Sequence, residues 1–92
     1  MELKDLRNQI DGIDRELVDL FVRRMHVSAQ VAEYKRAHGL PVLDAQREAA
    51  LLERISAMAG DEMEASTRAL YATILEQSRA YQEKALGTEV NE

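Results

Sequence analysis

Two apolar tracks of period seven run side by side through the first 34 residues, with no proline to interrupt them. Leu3, Ile10, Leu17 and Val31 lie on one track; Leu6, Ile13, Leu20, Val27 and Tyr34 lie on the other. Steps of three and four put both tracks on one face of a helix, as a continuous seam. The segment from about 3 to 38 therefore predicts a helix of about 36 residues, roughly 54 Å long at 1.5 Å per residue. The whole chain has 92 residues. A compact chain of that size has a radius of gyration of about 12 Å and a diameter of about 30 Å. Such a helix cannot lie inside its own monomer, so a second chain is expected to cover its seam. Gly12 is off both tracks and only weakens the helix, by roughly 1 kcal/mol.

Punctuation elsewhere is sparse: one proline, Pro41, and three further glycines at 39, 60 and 87. Gly39 followed by Pro41 is a helix-ending pair. A second helix is expected over about 44 to 59, closed by Gly60, and a third over about 62 to 86. Asp61 with Glu64 three residues on reads as a capping box for the third. The tail 87–92 is polar and expected to fray. No strand-like alternation, internal repeat or low-complexity run is present. The reading is an all-α chain of three helices, residues 1–92 forming a single domain. Charged residues make up 32% of the chain and cysteine is absent, with histidine only at 26 and 38. Disulfides are thereby excluded and a structural zinc site is disfavoured, which leaves oligomerisation as the support a small core needs. A net charge of −5 argues against a nucleic-acid or anionic-membrane binder. No apolar stretch approaches the roughly 20 residues of a membrane span. Charges at Glu2, Lys4, Asp5 and Arg7 leave no room for the apolar core of a signal peptide, so a cytoplasmic location is expected.

Each helix carries polar residues where its stripe should be apolar. Arg24 occupies the track of Leu3, Ile10, Leu17 and Val31, where an unpaired arginine costs several kcal/mol. Lys35 follows eleven residues later on nearly the same face, while the neighbouring Arg23 points elsewhere. The plainer alternatives are an Arg24 paired with a buried Glu or fixing register, and a solvated Lys35 at a fraying helix end. The second helix opens with Asp44, Arg47 and Glu48 on the line of Leu51 and Leu52. Asp44 suits the N-cap, and an Arg47–Glu48 surface pair is the plainer alternative there. The third helix steps by fours through Leu70, Ile74, Ser78 and Gln82, apolar turning polar; its end could simply emerge into solvent. Three such interruptions could also meet in one bundle interior, where helical proteins build ligand sites. His26 has no partner at ligand spacing, His38 suits a helix C-terminus, and Met25, Met58 and Met63 read as core filler. Phosphate loops, nucleophile–base pairs and clustered metal ligands are not evident.

Leu6-Arg7-Asn8-Gln9-Ile10-Asp11, Ile13-Asp14-Arg15-Glu16-Leu17, Arg23-Arg24 and Lys35 together resemble the long first helix of the all-helical chorismate mutases. Pro41-Val42-Leu43-Asp44-Ala45-Gln46-Arg47-Glu48 resembles that family's loop and second-helix start, and Ser78 and Gln82 fall where its third helix supplies polar contacts. The resemblance runs over about residues 3 to 85, with no departure at a matched active-site position. It implies the Claisen rearrangement of chorismate to prephenate, in the shikimate pathway to phenylalanine and tyrosine, by an isomerase without metal or cofactor. It also implies an interlocked helical homodimer with two sites. By the same resemblance Arg24 and Arg47 would bind substrate carboxylates, with Arg7 given in trans by the other chain. Lys35 and Gln82 would donate to the ether oxygen, Glu48 and the backbone amide of Asp44 would hold the ring hydroxyl, and Ser78 would lie against the ring carboxylate.

Chemistry agrees with these roles. A dianion calls for guanidinium clamps, and a pericyclic step needs no nucleophile, base or metal. What remains is to hold the reacting chair and to stabilise charge on the ether oxygen with preorganised donors. Two rivals stand beside this reading: a pyruvate lyase acting on isochorismate in the same fold, and a coiled-coil dimerisation module with no catalysis. Mutase domains of this type are often fused to prephenate dehydratase, prephenate dehydrogenase or a synthase.

Overall fold

A computed structural model of the chain describes residues 2–87. They form three helices, α1 (Leu3–Ala37), α2 (Ala45–Met58) and α3 (Glu64–Leu86), and no strand is present among the described residues. The expected bounds hold to within one residue for α1 and α2. The polar tail beyond Gly87 lies outside the described residues.

The turn chemistry explains the breaks. After α1 the amide of Leu40 donates to the Lys35 carbonyl at 2.8 Å and that of Gly39 to the Arg36 carbonyl at 3.3 Å. This pair of bonds is a Schellman closure, and it requires the left-handed φ of +68° that Gly39 adopts. The closure turns the chain back so that Val42 lies within reach of Lys35. Asp44 caps α2 as expected, its Oδ1 accepting from the Arg47 amide at 3.0 Å. The capping box expected at Asp61 and Glu64 is not made. Asp61 to Met63 form a turn held by the Met63 amide on the Gly60 carbonyl at 3.2 Å, so α3 starts two residues later than the sequence suggests. Its N-cap, Met63, has no side chain able to accept from an amide.

Packing is uneven. α3 lies against both α1 and α2, while the backbones of α1 and α2 do not approach each other. Met25 and Ala32 of α1, Leu51 of α2 and Leu75 of α3 are the buried apolar residues. At the far end of the α2–α3 pair, Ser56 is fully buried and accepts from the Arg68 guanidinium at 3.0 Å. Only the C-terminal half of α1 contributes to this core. All nine residues of the two tracks are 44% to 60% exposed within one chain. The radius of gyration is 16.6 Å and the longest dimension 54 Å, against the roughly 12 Å radius of a compact chain this long. The excess is α1 itself, which extends past α3 with its seam uncovered. Of the methionines expected as core filler, Met25 is buried, whereas Met58 and Met63 are 74% and 52% exposed and fill nothing within the chain.

Candidate active site

The cavity that matters lies where α1, α2 and α3 converge, with a volume of about 310 Å³. Its floor is apolar, made of Val27, Val31, Leu51 and Leu75. Seven of the residues singled out from sequence line it: Arg24 and Lys35 from α1, Asp44, Arg47 and Glu48 from the start of α2, and Ser78 and Gln82 from α3. Helical geometry explains the convergence. Arg24, Ser28, Val31 and Lys35 follow at steps of four, three and four on α1, and Ser78 and Gln82 at a step of four on α3. The Gly39 turn and the Asp44 cap bring the first turn of α2 to the mouth between them.

The polar groups are held in specific ways. The Arg24 guanidinium donates to Ser78 Oγ at 3.2 Å and stands 5.8 Å from the centre of the Tyr71 ring, a cation–π contact. Arg24 therefore answers its polar position with a hydroxyl and an aromatic face, not with a buried Glu. Ser78 is buried and its own hydroxyl points to Met25 Sδ at 3.6 Å. Arg23, in contrast, pairs only with Asp19 at 3.8 Å, both side chains about 70% exposed. Lys35 is half-buried, not solvated, and its ammonium donates to the Val42 carbonyl at 3.3 Å. An ammonium has three donors, so two remain. Gln82 Nε2 donates to the Ser28 hydroxyl at 2.8 Å and to the Ser28 carbonyl at 3.1 Å. The end of α3 thus does not emerge into solvent: Ser78 is buried and Gln82 half-buried.

The plainer alternative for this segment, an Arg47–Glu48 surface pair, is not formed. Glu48 accepts from the guanidinium of Arg79 on α3 through Oε1, while its Oε2 has no partner among the described residues. The Asp44 carboxylate is used by the α2 cap. Arg47 is exposed at the edge of the cavity, and its guanidinium has no partner among the described residues. Arg79 and Ser28 are the two lining residues that sequence reasoning missed. Arg79 sits between Ser78 and Gln82, and a lone Glu48 at an anion-binding mouth asks for a cation from a facing helix. Ser28 is one helical turn beyond Arg24 on the same face.

Arg7 is not brought to this cavity. It is exposed on the part of α1 that α3 does not reach, 17 residues before Arg24 and hence about 26 Å away along the helix. His26 is exposed, its ring 6.4 Å from that of Tyr81. His38 stacks on Tyr34 at the end of α1 and its Nδ1 lies 2.8 Å from the Tyr34 carbonyl. Among the described residues no helix is long and apolar enough to cross a membrane.

In summed charge the cavity carries four cations, Arg24, Lys35, Arg47 and Arg79, against two carboxylates, Asp44, which caps α2, and Glu48. With an apolar floor and donors on three sides, this suits a small dianion that also has a group to donate to a carboxylate.

Residues 6–83 match the family model described as chorismate mutase type II. The chain is 49% identical over 51 residues to the T-protein of Haemophilus influenzae, covering 55% of this chain and 14% of that protein. It is 33% identical over 60 residues to the 4-amino-4-deoxychorismate mutase of Streptomyces venezuelae, covering 65% of this chain and 58% of that one. It is 35% identical over 54 residues to the chorismate mutase of Methanocaldococcus jannaschii, covering 59% and 54%. The match thus spans less than two thirds of the length of each of these relatives. No solved structure matches the chain.

Proposed function

The chain belongs to the chorismate mutase type II family, and on that premise we propose that it is an isomerase converting chorismate to prephenate. The observation that carries this reading is the meeting of Arg24, Lys35, Arg47, Glu48, Ser78 and Gln82 in one cavity with an apolar floor. In the rearrangement the ether C–O bond breaks as a C–C bond forms between the enolpyruvyl methylene and the ring. Six electrons move in one cycle, and no proton leaves or enters. The protein needs only to hold the compact chair and to stabilise the ether oxygen as it gains charge.

In this reading Arg24 and Arg47 bind the two carboxylates, Ser78 lies against the ring carboxylate, and Glu48 with the Asp44 amide holds the ring hydroxyl. Lys35 directs one of its two remaining donors to the ether oxygen. Gln82 supplies a second donor by releasing one of its two bonds to Ser28. Residues 1–92 act as one domain, and the working form is an interlocked homodimer in which Arg7 enters the partner's site. What supports the dimer is the exposure of Leu3, Leu6, Ile10, Ile13, Leu17 and Leu20 in the half of α1 away from the cavity, together with the distance of Arg7 from its own cavity. The product belongs to phenylalanine and tyrosine synthesis, and the enzyme works in the cytoplasm without a cofactor.

Incubating the purified chain with chorismate and following loss of its absorbance tests the reading. Expected is conversion to prephenate, while isochorismate is left unchanged. A chain that is folded yet leaves chorismate untouched would overturn it.

A further inference from the structure

Glu48 is the cavity's one carboxylate not spent on a helix cap, and its charge is already answered from within the chain. Arg79 reaches across from α3 to Oε1, leaving Oε2 open as an acceptor. The pair is well placed to matter, because Glu48 and Arg79 both line the cavity with side chains only 27% and 39% exposed. A carboxylate so neutralised still accepts a hydrogen bond, but it offers little net attraction to a second cation. Without its guanidinium the same carboxylate would stand as a full negative charge facing the ligand. The two cases favour different ligands: a neutral hydroxyl donor in the first, an ammonium in the second.

We propose that Arg79 is a specificity-determining residue, which by pairing with Glu48 sets the site to take a ring hydroxyl and to reject a ring ammonium at the same position. The inference rests on the proposed mutase activity and on Glu48 as the group facing that ring position. An ammonium entering the wild-type site must compete with Arg79 for Glu48 and lies beside its guanidinium. A hydroxyl has no such conflict, since its proton needs only Oε2. The pair also ties α2 to α3, but that role makes no distinction between ligands.

The discriminating measurement is kcat/KM at pH 7 for chorismate and for the analogue in which an amine, protonated at that pH, replaces the ring hydroxyl. Wild type is expected to prefer chorismate. In Arg79→Ala the ratio of amino to hydroxy activity should rise about three- to fivefold, the upper end of what a partly exposed ion pair is worth. Arg79→Gln, which keeps the stem and a donor but no charge, should shift the ratio in the same direction. Arg79→Lys restores the charge and should keep the ratio within about twofold of wild type. Equal loss of both activities in Arg79→Ala and Arg79→Gln would overturn the inference and leave the pair a helix tie. Loss of fold in both neutral variants would do the same. A folded wild type inactive on chorismate would instead overturn the mutase reading from which the inference starts.

Discussion

Removing Arg24 separates a catalytic use of this residue from a structural one, because its structural partners are few and replaceable. In Arg24→Ala the hydrogen bond to Ser78 at 3.2 Å and the contact with Tyr71 are lost. Ser78 keeps Met25 Sδ as a partner for its hydroxyl, so no buried donor is orphaned and the stability loss should stay near ~1 kcal/mol. The functional loss is of another order. Truncating one member of a desolvated, hydrogen-bonded charge pair costs about 2–5 kcal/mol. At 1.4 kcal/mol per factor of ten, that lowers kcat/KM by about thirty-fold to several thousand-fold. Arg23→Ala removes only a 3.8 Å pair with Asp19 between side chains about 70% exposed, worth a few tenths of a kcal/mol, and should leave kcat/KM within about twofold. Arg24→Leu extends the apolar track and should unfold at equal or higher urea concentration while remaining inactive. The assays are chorismate turnover and urea midpoints on the three variants beside wild type, with circular dichroism establishing that each is folded. Comparable losses at positions 23 and 24, or an Arg24→Ala enzyme within threefold of wild type, would refute the assignment of Arg24 to the substrate.

Because the seam of α1 is uncovered in one chain, unfolding should be linked to dimer assembly: the thermal midpoint is expected to rise with protein concentration, and sedimentation that finds a stable folded monomer would count against it. Arg7→Ala and Arg24→Ala homodimers should each be poor enzymes; mixed and allowed to exchange, they should recover up to about a quarter of wild-type activity, since half the dimers carry one intact site. A mixture no better than the sum of its parts would remove Arg7 from the partner's site. Gln82→Glu replaces a donor that works at any ordinary pH by one that exists only when protonated, and the ionised form would face both the ether oxygen and the Ser28 carbonyl. Its kcat/KM should be low at neutral pH and gain on wild type as pH falls towards the carboxyl range near ~4.3, whereas a profile parallel to wild type would mean that Gln82 does not face the breaking bond.

The heptad tracks, the Gly39 and Gly60 stops and the Asp44 cap are local signals, each acting within a few residues of itself. They therefore determined the three helices, the length of α1 and the apolar seam along it. Arg24, Lys35, Arg47, Glu48, Ser78 and Gln82 could be suspected singly, as polar breaks in apolar stripes, because a helix repeats its faces at fixed steps. Which of these residues meet, and what each one holds, depends on how the helices cross, and no short-range pattern encodes that. So the ion pair of Glu48 fell to Arg79, 31 residues away, and not to its sequence neighbour Arg47. Gln82 found its acceptors on Ser28, 54 residues away in the chain. Even the start of α3 was decided by the turn after Gly60, not by the capping pattern at Asp61. The sequence determined which faces must be buried and where charge would be out of place; only the packing of α3 against α1 and α2 decided which charges answer one another.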